Sequence, residues 1–224
     1  MPFFKPLLAG ASLSGRLLAC LGAALGIAAT IWICGRLPLA AADLPVIVAP
    51  LGASAVLVFA VPTSPLAQPW PVLGGNVIST IIGVAAFDLI PDTAIAAGIA
   101  VGGAILVMSL LQCLHPPGGA AALTAVIGGP AIHDAGYAFA LMPVATNSIA
   151  LVVIAMLYHR ATRHAYPRAQ APAPALGTPL QATDIDRALA DMDESFDISR
   201  ADLDALLAHA ERHATARTST ARVR

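Results

Sequence analysis

The densest chemical information in the chain sits in one hexapeptide, His115-Pro116-Pro117-Gly118-Gly119-Ala120. Two prolines in a row cannot donate backbone hydrogen bonds, so a helix breaks before them and can restart at them. Glycines in the new first turn let a ligand approach the backbone closely. A helix N-terminus carries about half a positive charge, so free N–H groups there form an anion site. His115 adds an imidazole that can bind or carry a proton. The competing reading is a tight turn whose glycines serve only packing.

A second segment repeats the device. Pro50-Leu51-Gly52-Ala53-Ser54 again opens on proline, has a glycine in the first turn and offers a hydroxyl at Ser54. Asn76 and Asn147 sit five and four residues after Pro71 and Pro143 in two long apolar runs. They read either as interhelical hydrogen-bonding pairs or as cavity residues. The candidate substrate-binding set is therefore Pro50, Gly52, Ser54, Asn76, His115, Pro116, Pro117, Gly118, Gly119, Ala120 and Asn147. Gln112, Thr124 and the pair His133-Asp134 are weaker candidates. Two positive helix ends facing one cavity would favour a small anion, and no carboxylate inside the apolar runs competes for a cation.

The elements that position these residues must lie in a bilayer. Hydrophobic residues make up 58% of the 224 and charged residues only 11%, and the mean hydropathy is +0.78. From Leu17 to Tyr158 the charged residues are Arg36, Asp43, Asp88, Asp92 and Asp134. A hydrocarbon core excludes ionised groups, so charge confined to the ends of apolar runs marks a polytopic membrane protein. Six runs qualify: residues 17–35, 46–61, 72–90, 93–114, 118–129 and 137–158. A crossing helix needs about 20 residues, which four of them supply and the second and fifth do not. The expected fold is all-α, with about six transmembrane segments, two of them short or broken.

Each half of this body reads long–short–long, with Gly22/Gly26 echoed by Gly98/Gly102, Pro50 by Pro117 and Asn76 by Asn147. Three segments per half make the second half enter from the opposite side, which is a 3+3 inverted repeat of the kind found in secondary transporters. Lys5, Arg16, Arg160, Arg163 and Arg168 gather at the two ends, which places both termini in the cytoplasm by the positive-inside rule. The first apolar run is long for a signal peptide, so it is expected to stay as a membrane segment. Trp32 and Trp70 read as interfacial anchors, and the glycine pairs as close-packing faces that make a homodimer plausible.

Residues 1–166 thus form the transmembrane domain, and 167–181 a linker rich in proline and alanine. Residues 182–213 are a cytoplasmic pair of amphipathic helices carrying Ile185, Leu189 and Met192, then Leu203, Leu206, Leu207 and Ala210. Residues 214–224 are a flexible basic tail. Cys20, Cys34 and Cys113 lack metal-ligand spacing and read as small hydrophobes. No hydrolytic triad, zinc helix or phosphate loop is legible, so neither enzyme activity, a metal, a cofactor nor nucleic acid is expected.

With Ala49-Pro50-Leu51-Gly52-Ala53-Ser54-Ala55, Gln68-Pro69-Trp70-Pro71-Val72-Leu73-Gly74-Gly75-Asn76 and the His115–Ala120 hexapeptide together, the chain resembles the HPP family of integral membrane proteins over residues 17–166. The family is usually described with four membrane spans. Its plastid members are nitrite transporters, so the resemblance implies transport of nitrite or a comparable small anion across a bacterial inner membrane. Many bacterial members continue into tandem CBS domains that bind adenosine nucleotides. The stretch 184–213 looks like the connector before such domains, and nucleotide regulation is not carried over. A membrane sensor signalling through its C-terminal helices is the alternative, and an intramembrane enzyme a weaker third.

Overall fold

A computed structural model describes residues 13–37, 44–167, 182–192 and 200–221 of the chain. The elements of the membrane body are α1 (Leu13–Cys34), α2 (Pro50–Ala60), a 3-10 turn (Pro65–Ala67), α3 (Pro69–Leu89), α4 (Thr93–Leu110), α5 (Pro116–Ile127), α6 (Pro130–Ala135), a π-helical stretch (Ala140–Ala145) and α7 (Thr146–Thr162). All six expected segments are helical. Four have the length and composition to cross a membrane: α1, α3, α4, and α7 taken with the π stretch. The short helices α2 and α5 have 11 and 12 residues, which cover about 16–18 Å at 1.5 Å per residue.

Proline and caps set these boundaries. α2, α3 and α5 each begin with proline in the first turn, where its missing N–H costs nothing. α4 begins at Asp92, whose carboxylate accepts the Ile95 N–H at 2.9 Å. α2 stops because Val61 precedes Pro62 and is turned out of the helical region. Met142 is extended (φ −133°, ψ 116°) ahead of Pro143, which separates the start of the last span from the rest of α7.

Contacts fix the direction of every segment. Asn147 bonds beside Val46 and Val48, and His159 bonds Val58, so α2 and α7 run parallel. The Tyr158 hydroxyl donates to the Leu18 carbonyl at 2.7 Å while Gly26 lies near Leu151, so α1 runs against α7. Tyr166, just past α7, binds Ala67, just before α3, so α3 also opposes α7. Gly75 abuts His115 and Gly83 abuts Ala122, which makes α5 parallel to α3. Trp70 reaches Leu111, which makes α4 antiparallel to α3. α1, α3 and α5 point one way and α2, α4 and α7 the other. The trios α1–α2–α3 and α4–α5–α7 are therefore opposite in sense, as an inverted repeat requires, and both ends of the body lie on one side.

The bundle is apolar outside and polar within. Leu17, Leu21, Leu25, Ile95, Ile99 and Leu106 are exposed, while Ser54, Asn76, Ser79, Thr80, His115, Asn147 and Ser148 are fully buried. Lipid solvates the first set; only protein can satisfy the second. Cys34 and Cys113 are buried among apolar neighbours, and Cys20 is exposed.

Glycine permits two kinds of approach. Gly22 and Gly26 lie under the rings of Phe59 and Tyr158, so the α1 glycine pair is filled from within the chain. Gly98 and Gly102 on α4 meet nothing within 4 Å. At the α3–α5 crossing, a Cβ on Gly83 would collide with the Ala122 carbonyl, which is backbone and cannot move aside.

Beyond the membrane body, α8 (Ala182–Met192) and α9 (Arg200–Ala221) form as helices. Ile185, Leu189, Leu203 and Leu207 are half-buried, whereas Met192, Leu206 and Ala210 are exposed, so the expected apolar stripes are only partly covered. The proposed linker lies, from 168 to 181, outside the described residues. α9 continues past 213, the expected end of the second helix, to Ala221, because Ala214, Ala216, Arg217 and Ala221 favour helix and no Gly or Pro interrupts them.

Gly83→Ala is expected to destabilise the detergent-solubilised protein by about 1–3 kcal/mol, through overpacking against backbone. Gly98→Ala should be neutral or stabilising by up to about 1 kcal/mol, since it improves helix propensity in open space. Thermal unfolding followed by circular dichroism checks both; equal midpoints would contradict the α3–α5 approach.

Candidate functional site: a buried hydrogen-bonded chain between the two short helices

The starts of the two short helices converge. Ser54, in the first full turn of α2, places its Oγ 2.8 Å from Nε2 of His115, the residue that caps α5. His115 Nδ1 lies 2.8 Å from the Leu66 carbonyl in the 3-10 turn. A carbonyl only accepts, so Nδ1 carries the proton and, in the neutral ring, Nε2 is an acceptor. Ser54 must then donate to Nε2. Its oxygen is left to accept from Asn76 Nδ2 at 3.3 Å, and the same amide nitrogen also reaches Ser148 Oγ at 3.3 Å. The Leu66 carbonyl therefore fixes the polarity of the whole chain: Asn76 to Ser54 to His115 to Leu66. It fixes the Asn76 amide as well, whose Oδ1 points away, buried and without a partner.

The local fold explains each position. Asn76 and Ser79 are three residues apart on α3; Asn76 turns toward α2 and α7, and Ser79 toward Gly118 of α5. Gly75 and Gly118 allow the close approach: a Cβ on Gly118 would stand 2.7 Å from both the Gly75 carbonyl and Ser79 Oγ. Ser79 Oγ is also buried and unpartnered. Thr80 returns its hydroxyl to the Asn76 carbonyl at 2.8 Å and so takes no part.

Of the sequence-predicted residues, Pro50, Ser54, Asn76, His115, Pro117 and Gly118 are buried around this chain. Asn147 is equally buried but serves another end: Nδ2 donates to the Val46 carbonyl at 2.9 Å, and Oδ1 accepts from the Val48 N–H at 3.1 Å. Gly52, Pro116 and Ala120 face outward and Gly119 is half-buried, so these four lie off the cluster. Gln112 is exposed, and Thr124 is half-buried and bonds its own helix. His133 stacks on Phe87 at 3.7 Å and reaches the Val126 carbonyl; it does not join a relay with the cluster.

Three of the N–H donors expected at the two helix starts are already bonded within the chain. At α2 the Leu51 and Gly52 N–H groups are already bonded to the Val48 and Ala49 carbonyls. At α5 the first two positions are prolines, and the Gly118 N–H is spent on the His115 carbonyl. Proline organises these ends and removes part of the donor set an anion would use. The polar surface is instead made by side chains, two of which, Ser79 and Ser148, were missed in the sequence reading. Their signals were modest: Ser148 adjoins Asn147, and Ser79 lies one helical turn after Asn76.

A second set of polar side chains completes the backbone. The Val58 carbonyl would normally pair with residue 62, which is proline; His159 Nε2 takes it at 2.9 Å. His133 does the same for Val126 ahead of Pro130, while Asn147 and Tyr166 take the Val46 and Ala67 carbonyls, which lie outside the α-helices just ahead of α2 and α3. Burial pushes the Tyr166 phenol well above its ordinary range, so it stays protonated and can donate. Among the described residues no group of three His, Cys, Asp or Glu could hold a metal.

A family model described as HPP, transmembrane region, matches residues 9–167. Two transmembrane proteins of Dictyostelium discoideum are similar. One is 33% identical over 131 residues, covering 56% of this chain and 46% of the relative. The other is 36% identical over 120 residues, covering 51% and 38%. The aligned region is thus less than half the length of either relative. No solved structure matches.

Ser54→Ala would leave His115 Nε2 and Asn76 Nδ2 short of a shared partner, and should cost about 1–3 kcal/mol of stability. Gly52→Ala, on the outward face of the same turn, should cost nothing measurable. Chemical unfolding in detergent distinguishes them, and parity between the two variants would mean that the hydroxyl is not part of the chain.

Proposed function

This chain belongs to the HPP transmembrane family, and from that premise we propose that it transports a small monovalent anion, with nitrite the leading candidate. The observation that carries the reading is a fully buried polar cluster, Ser54, Asn76, Ser79, His115 and Ser148, inside a bundle whose outer face is apolar. Intramembrane polar residues are costly and mark substrate pathways. The opposed trios of helices support alternating access, in which one half rocks against the other around a central site. Nitrite comes from the resemblance to plastid members and suits a site lined by small side chains. The protein would sit in a bacterial inner membrane with both termini cytoplasmic, and it is proposed to have no catalytic role. A homodimer would use the open Gly98/Gly102 face of α4, because the α1 pair is taken.

The test is flux of nitrite, nitrate, formate and chloride into proteoliposomes, with protein-free vesicles as the baseline. Saturable nitrite uptake is expected, and His115→Ala should lower it by about tenfold or more, equivalent to at least one lost hydrogen bond. Wild-type-like flux in that variant between about pH 5 and 8 would remove His115 from the pathway.

A sensor function is favoured by one observation, the strongly two-faced α8 with Ile185 and Leu189 on one side and Asp184, Arg187 and Asp191 exposed. Deleting residues 184–213 separates the readings: a transporter keeps most of its flux, and a sensor loses its output.

A further inference from the structure

We propose that the substrate occupies the buried site as the neutral, protonated form of a weak acid, so that one proton crosses with each anion. This rests on the transport reading above and specifies its substrate class.

The first argument is the charge of the surroundings. α2, α4 and α5 contain no charged residue. α3 contributes only Asp88, next to its far end, and α7 only Arg160 and His159, in its last turn, where His159 is committed to Val58. Cys113 is the other titratable side chain on the link that carries His115, and α2, the 3-10 turn and α3 present to His115 only Ser54, the Leu66 carbonyl and Gly75. A bare anion here would have no cation to offset its lost hydration, and such a cost runs to several kcal/mol.

The second argument is the kind of polar atom left over. The backbone N–H groups of Leu51, Gly52 and Gly118, at the two helix starts, are used. Asn76 Oδ1, fully buried, is an acceptor with no donor, and its orientation follows from the Leu66–His115–Ser54 chain. An acceptor repels an anion and welcomes an O–H. Ser79 Oγ, further along the same helix and likewise unpartnered, has a hydroxyl to donate. A free acceptor on Asn76 and a free donor on Ser79, three residues apart on α3, match a protonated oxyacid, which offers one O–H and one acceptor oxygen. They do not match the oxyanion.

Third, the chain can relay a proton that arrives together with the anion. Ser54 Oγ lies 2.8 Å from His115 Nε2 and 3.4 Å from the Pro50 carbonyl. With His115 neutral, the Ser54 hydroxyl points to Nε2. When Nε2 takes a proton, it donates to Ser54 Oγ, and the serine proton swings to the Pro50 carbonyl. Both states are fully bonded at these atoms. A proton that enters on His115 leaves by way of Ser54 to the anion, giving the neutral acid and restoring the neutral ring, so charge and protons balance.

The experiment uses the full-length protein in proteoliposomes carrying a lumenal pH dye, with the membrane potential set by a potassium gradient and valinomycin. Protein-free vesicles are subtracted because weak acids also permeate lipid. Nitrite and formate, anions of weak acids, should enter with one proton each, acidify the lumen and ignore the imposed potential. Nitrate and chloride, whose acids are fully ionised in water, should stay at the protein-free rate. Ser79→Ala, which removes a hydroxyl that bonds nothing in the protein, should fold normally and lower nitrite flux several-fold. Nitrite entry that carries current and follows the potential, or nitrate moving as fast as nitrite, would overturn the neutral-acid form and leave transport standing. Flux absent for all four anions, from folded and inserted protein, would remove the transport reading and this inference together.

Discussion

The structure depends on how carbonyl groups orphaned by proline are satisfied where water is absent. In a helix each carbonyl pairs with the N–H four residues on, and a proline there leaves the carbonyl bare. Lipid cannot repair the loss, and a buried unsatisfied carbonyl costs about 1–3 kcal/mol. Here Val58 and Val126, in α2 and α5, stand four residues before a proline and receive His159 and His133; Val46 and Ala67, in the irregular chain just ahead of α2 and α3, receive Asn147 and Tyr166. Leu66, three residues before Pro69 in a 3-10 turn, receives His115. The prolines cut short helices out of the chain, and the donors pin the cuts to α5, α6 and α7.

The same constraint shapes the site. His115 both completes the Leu66 carbonyl and, by doing so, fixes its own tautomer, the direction of the Ser54 hydroxyl and the face of the Asn76 amide. One backbone group thereby sets the polarity of the buried chain of bonds. The two asparagines diverge for a related reason. Asn147 spends both amide atoms on the chain ahead of Pro50, whereas Asn76 bonds only hydroxyls and keeps its carbonyl oxygen open. A pair that looks equivalent in sequence has separated into a clasp and a lining residue.

Much of the fold was legible because membrane insertion writes itself in composition. The apolar runs, the two short segments and the opposed halves follow from where charges and prolines fall. The convergence of Ser54 and His115 was legible only as a motif, since nothing in a linear pattern says that an α2 hydroxyl meets the cap of α5. The spent donors at Leu51, Gly52 and Gly118 were not legible, because they depend on whether the preceding turn folds back on the helix start. Ser79 and Ser148 were overlooked because serine is common in apolar helices and gains meaning only from its neighbours. Helix α9 overran its expected end because its alanine content outweighed its charge.

The long reach of the carbonyl caps has a consequence for biogenesis. Asn147 and His159 lie 101 residues beyond the carbonyls they complete, and Tyr166 lies 99 beyond Ala67. A ribosome delivers α2 to the insertion machinery well before any of these partners has been made. The second segment must therefore wait, sheltered from lipid by the translocon or its insertase, until α7 emerges to close over it. The last helix acts as the keystone, and nascent chains released before it would expose α2 to quality-control proteases that recognise unassembled polar backbone within the bilayer.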